Sequence, residues 1–171
     1  MNRPLPHEYP EWGAQYINLV DQDDVLVLLE KQSQEFPEFL TDFIEKADYA
    51  YAPGKWTIKE LAGHMVDTER ILCYRLLCFS RAETSPLPGF EEDDYVKNAH
   101  FADRSLHSIG EEFSLLRKAN LYLFNSLNET ELSRSGIASG RLITVRAILF
   151  VMAGHVIHHT RIIKERYADV V

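Results

Sequence analysis

Residues 144–167, TVRAILFVMAGHVIHHTRIIKERY, decide how the chain folds. Positions 145, 148, 152, 155, 159, 162 and 166 recur in alternating steps of three and four, the interval at which one face of an α-helix returns. Their occupants are Val145, Ile148, Met152, His155, His159, Ile162 and Arg166. Two histidines therefore stand in the middle of a seam whose other inner positions are apolar. Thr144 is placed to cap this helix, which the pattern carries to about Tyr167.

The same periodicity appears three more times upstream. Asp21 is the expected cap of a first long helix, with Asp23 and Asp24 making an acid-rich first turn favourable to the helix dipole. Val25, Leu28, Leu29, Gln32, Phe36, Phe39, Leu40 and Phe43 form its inner face, and Pro37 is expected to kink or restart it. YAPGKW (Tyr51 to Trp56) is turn chemistry, and Thr57-Ile58-Lys59-Glu60 is a capping box announcing a second helix to about Arg81. Ile58, Leu61, Met65, Leu72, Leu76 and Phe79 make its stripe. A third helix is predicted from near Ser105 to about Leu127, with Ile109, Phe113, Leu116, Asn120 and Leu123 inward.

The connection SPLPGFEEDDYVKNAHF is the longest and should hold a short helix from Glu91 to about Asn98. Residues Asn128 to Arg141 read as a polar loop, and residues 1–20, with prolines at 4, 6 and 10, as an extended arm. No segment sustains period-two alternation, so no strand is predicted. Residues 21–171 are thus expected to form one all-α domain, a four-helix bundle.

Composition agrees with one globular domain: 171 residues, 46% hydrophobic and 26% charged. The formal net charge of -8, with no basic tract, argues against nucleic acid as a partner. No apolar run approaches membrane-span length, and MNRPLPHEYPEW lacks the apolar core of a signal peptide, so a soluble, cytoplasmic protein is expected. Cys73 and Cys78, five apart and not in a CxxC arrangement, read as reduced thiols.

His155 and His159 differ by about 40° around the helix and about 6 Å along it, the spacing at which one helix offers two imidazoles to one ion. A third ligand is expected from the second helix. There His64 shares an inward row with Leu61, Thr68, Ile71 and Arg75. Three neutral imidazoles would leave a divalent transition metal an open position, the pattern of a catalytic site. The competing reading is three hydrogen-bonded core histidines. It would carry a desolvation cost of roughly 1–3 kcal/mol for each ring left without a partner.

His158 could flank the site and donate to a ligand from behind, and Asp67 or Glu60 could accept an imidazole N–H unless they are solvated surface. His7, His100 and His107 read as surface residues. The paired ExxH helices of di-iron bundles are absent. Arg75 and Arg117 fall near inward stripes and could hold a carboxylate of substrate or cofactor. The alternative for each is an ion pair at the bundle surface.

Four stretches carry a family likeness: PGKWTIKELAGHMVDTER (53–70), RLLCFSRAETSPLPGFEEDDYV (75–96), FSLLRKAN (113–120) and residues 144–167. Together with the GHxxHH motif and the Trp56-x(7)-His64 spacing, they resemble the DinB/YfiT-like superfamily. The resemblance implies an up-down-down-up bundle, frequent homodimers, and zinc or nickel on His64, His155 and His159. It also implies small-molecule chemistry. The leading expectation is S-transfer from a low-molecular-weight thiol, such as bacillithiol or mycothiol, to small electrophiles. The alternatives are metal-dependent hydrolysis, or metal and ligand binding without turnover.

Overall fold

Capping residues in the sequence sit where helices begin. The structure, a computed structural model, describes residues 1–21 and 24–168. Its helices are α1 (Glu11–Ile17), α2 (Val25–Thr41), α3 (Ile58–Ser80), α4 (Glu92–Asn98), α5 (Leu106–Asn125), α6 (Glu129–Leu132) and α7 (Val145–Arg166). Thr57 and Glu60 form the expected capping box on α3: the Glu60 N–H donates to Thr57 Oγ1 at 3.2 Å and the Thr57 N–H to the Glu60 carboxylate at 2.7 Å. Ser105 and Thr144 accept from Ser108 and Ala147 to open α5 and α7.

Helix α2 is capped by Asp24, whose carboxylate accepts the Leu26 N–H at 3.1 Å, rather than by Asp21. Asp23 lies outside the described residues. Pro37 does not restart α2, which runs through it to Thr41. The partner helix α5 faces Pro37 with Gly110.

The direction of the long helices follows from which residues share a core. Leu28 and Leu29 of α2 cluster with Leu76 of α3, Phe124 of α5 and Ile148 of α7. At the other end Phe36 and Leu40 cluster with Ile58, Met65, Ile109 and Ile163. Helices α2 and α7 thus run one way and α3 and α5 the other, the up-down-down-up order. Both α5 and α7 lie against α2 and α3.

The N-terminal arm is not extended throughout. A 3-10 turn (Pro6–Glu8) leads into α1, which packs on α7. Arg3 donates to the Ile17 and Val20 carbonyls at 2.6 and 2.7 Å, tying the start of the chain to the end of α1 and the turn after it.

The expected polar loop at 128–141 also departs from expectation. It holds α6 and an antiparallel hairpin, β1 (Ser135–Ala138) with β2 (Arg141–Thr144). Four-residue strands are too short for alternation to stand out, and their pairing is a contact between strands rather than a local pattern. Leu87, from the long connection, adds to this edge by donating its N–H to the Ile137 carbonyl at 2.9 Å.

Candidate metal centre

Helix geometry aims the three seam histidines into the bundle, and the antiparallel packing of α3 on α7 brings them together. His64, His155 and His159 are 4%, 7% and 8% exposed. His155 Nε2 lies 3.2 Å from His64 Nε2 and 3.0 Å from His159 Nε2. Ligand atoms of the three rings all fall within 4.8 Å of one another, so together they could hold one metal ion.

The spacing suits that role. Bonds of about 2.0–2.1 Å in tetrahedral array put ligand nitrogens about 3.3 Å apart. On the other side of its ring, His159 Nδ1 is buried without a hydrogen-bond partner among the described residues.

Burial also sets the protonation state. It pushes the His64 imidazole down to about 4, against the opposing charge of Asp93. His155 is pushed well below the usual histidine range by burial, and further by the neighbouring histidines and Arg117. His159 follows for the same reason, with His64 and His158 adding to it. All three rings are neutral at pH 7, the form a metal takes.

Each of the first two histidines of the cluster follows an Ala-Gly pair: Ala62-Gly63-His64 and Ala153-Gly154-His155. A Cβ at Gly63 would fall 2.4 Å from the Phe101 ring, and one at Gly154 would fall 2.1 Å from the Tyr16 carbonyl oxygen. The glycines therefore let two outer segments close over the histidine layer. Tyr16 sets its ring edge-on to His155 and His158, both at 5.4 Å between centroids. Trp56 lies 4.8 Å from the His64 ring.

The residues proposed to support the triad fall differently. His158 is half-buried with its ring 5.0 Å from that of His159, outside the ligand cluster. Asp67 is half-buried with Arg70, Arg104 and Glu112 as its charged neighbours, and burial raises its carboxyl pKa. The side chain facing His64 Nδ1 is instead Thr68, whose Oγ1 lies 3.5 Å away. Glu60 is held in the capping box, and His7, His100 and His107 are exposed.

Arg117 is fully buried and paired with Glu69 through two bonds, Nε to Oε1 at 2.7 Å and Nη2 to Oε2 at 2.8 Å. Its ion pair lies in the core rather than at the surface. Arg75 is also buried, its Nη2 donating to the Pro88 carbonyl and to Ser139 Oγ.

Sequence reading missed Glu69, although it sits on the stripe between Met65 and Leu72, where an acid calls for a buried base. It missed Tyr16 because nothing local placed the arm on α7. Asp93, whose charge acts on His64, and Glu92 were read only as part of a short helix.

The model of the DinB superfamily matches residues 28–163. Among solved structures, YfiT from Bacillus subtilis, described as "a probable metal-dependent hydrolase with an unusual four-helix bundle topology", is similar over 96% of this chain and 91% of its own. The TM-score is 0.69 at 18% sequence identity, a likeness of fold. No curated protein matches the chain.

Proposed function

We propose that this chain, which belongs to the DinB superfamily, is a metal-dependent S-transferase that joins a low-molecular-weight thiol to small electrophiles. The observation that carries the metal is the convergence of three buried Nε2 atoms from α3 and α7 at 3.0 and 3.2 Å. Zinc and nickel both suit an all-imidazole donor set. A bound divalent ion would supply Lewis acidity, making a thiol or a water more acidic at the position the histidines leave open.

The chain's own residues prepare that position. Burial keeps the three imidazoles neutral, and Thr68 faces the far nitrogen of His64. Phe101 and Tyr16 press on the ligand-bearing turns from outside the bundle, and the ring of Trp56 lies against His64. The Tyr16 phenol is pushed up by burial and by Glu92, so it stays protonated as a donor beside the site.

Among the described residues no carboxylate hydrogen-bonds to the three rings, and none belongs to their ligand cluster. A thiolate held by a metal would need no further base to attack an electrophile, and S-transfer is the first reading. Hydrolysis is the second reading. It is favoured by Glu92, a partly buried carboxyl whose pKa burial raises, and by Asp93; either could take a proton from water.

Elemental analysis and turnover test this order. Purified protein should hold about one transition-metal ion per chain, lost in His155→Ala. Monochlorobimane should then be consumed only when a thiol from a panel including bacillithiol and mycothiol is present. Ester cleavage without thiol would favour the hydrolase. Stoichiometric metal with neither activity would leave a binding protein, and a metal content unchanged by His155→Ala would remove the site.

A further inference from the structure

Arg75 is 6% exposed, yet no carboxylate lies within ion-pair distance of it among the described residues. The other arginine buried to that degree, Arg117, is held by both oxygens of Glu69. Among the described residues its hydrogen-bond partners are neutral. Nη2 donates to the Pro88 carbonyl at 2.9 Å and to Ser139 Oγ at 3.0 Å, and the guanidinium stands 5.9 Å over the Phe90 ring. These contacts use one of its three nitrogens. Burial lowers its pKa somewhat, but a guanidinium remains a cation at neutral pH. A buried cation without a counter-ion is costly unless something supplies the charge.

Beside Arg75 lies a cavity of about 280 Å³, walled by Ile71, Leu87, Phe90 and Tyr95. Phe90 and Tyr95 form an edge-on aromatic pair 5.2 Å apart. Arg70 also borders the cavity but is paired with Glu112 at 2.5 Å, so Arg75 is the lining cation with charge to offer. The outer wall is pinned rather than loose. Leu87 is bonded to both Ile137 and Ser139 of the hairpin region, and Ser139 reaches Arg75 from the turn.

We propose that this cavity binds a small organic monocarboxylate with an aromatic or apolar body. The carboxylate takes the guanidinium N–H groups that Pro88 and Ser139 leave free, and the body lies among Ile71, Phe90 and Tyr95. One uncompensated cation selects a single negative charge. The apolar walls favour an acid with a hydrophobic body over a bare inorganic anion. The volume lies just under the ~300–1,000 Å³ of ordinary ligand sites, which sets a small acid as the limit. The proposal does not rest on the histidines binding metal.

Phenylacetate is the probe, used on the full chain stripped of metal with EDTA so that a carboxylate bound to an ion is not mistaken for one on Arg75. Calorimetry and NMR should show saturable binding, with shifts at the Arg75 Nε–Hε signal and at the amides of residues 87–95. Phenylacetamide, the neutral isostere, and the Arg75→Gln variant should each bind at least about tenfold more weakly, as loss of one charged hydrogen bond predicts. Inorganic phosphate should leave the Arg75 signal in place.

If Arg75→Gln does not fold, Ile71→Trp fills the cavity while keeping the arginine, and should abolish phenylacetate binding. Any one of four outcomes overturns the proposal: amide and acid binding alike, phosphate moving Arg75 as far as phenylacetate does, shifts confined to other parts of the chain, or no saturation up to about 10 mM.

Discussion

Two polar layers cross the core of this bundle, and they are finished to different degrees. In one, Glu69 of α3 takes both arms of Arg117 from α5 and a bond from Asn120 at 3.0 Å. Arg117 also donates to Gln32 of α2, and Gln32 donates to the Ala153 carbonyl of α7. All four long helices contribute, and each charge meets its opposite. In the other layer, three imidazoles turn their Nε2 atoms on one another, and His159 Nδ1 has no partner among the described residues. The closed layer pairs its charges, whereas the open one turns three neutral ring nitrogens on one point. Gln32 ties them together, since the carbonyl it holds lies two residues before His155.

Breaking the closed layer should have the largest effect. Glu69→Ala leaves Arg117 buried without its counter-ion and should destabilise the metal-free protein by about 3–5 kcal/mol in urea unfolding. A loss under about 1 kcal/mol would mean that the layer contributes little to the fold.

Next comes acid. The His64 pKa is lower folded than unfolded, so the unfolded chain binds the extra proton. Stability from this group is full above about 6.5 and is lost as pH falls toward about 4. The window for His64 alone is worth roughly 3 kcal/mol, and His155 and His159 shift in the same direction. Urea midpoints of metal-free protein should fall steeply across that window, and His64→Gln should flatten the fall. A profile that His64→Gln leaves unchanged would place the acid sensitivity elsewhere.

The smallest effect sharpens the contrast. His159→Leu removes one bond, that of Nε2 to His155, and a ring whose Nδ1 has no partner among the described residues, so without metal its stability should stay within about 1 kcal/mol of wild type. With metal at about a hundred times its Kd, wild type should gain about 2.7 kcal/mol and the variant almost nothing. A large loss in the metal-free variant would show that the histidine layer is as structural as the arginine layer.

Much of the open layer is readable from local pattern because a helix fixes where its side chains point. Once residues 145–166 are helical, His155 and His159 share a face, and the row through Leu61 and Thr68 does the same for His64. The closed layer has equally local signs, an acid and a base on apolar stripes, but their pairing joins residues 48 apart in sequence. Tyr16 and the hairpin are harder still. The Tyr16 backbone reaches Gly154 because α1 folds back onto α7, and strands of four residues carry almost no periodic signal.

By itself the sequence determined the four long helices, most of their caps, and the histidines that face inward, because those follow from hydrogen bonding and side-chain direction within single helices. Tertiary structure decided the rest. It put the three ring nitrogens 3.0 and 3.2 Å apart, joined Arg117 to Glu69, and left Arg75 buried with no acid beside it among the described residues. Distances between helices and the matching of buried charges depend on packing across the whole core, and no local pattern encodes them.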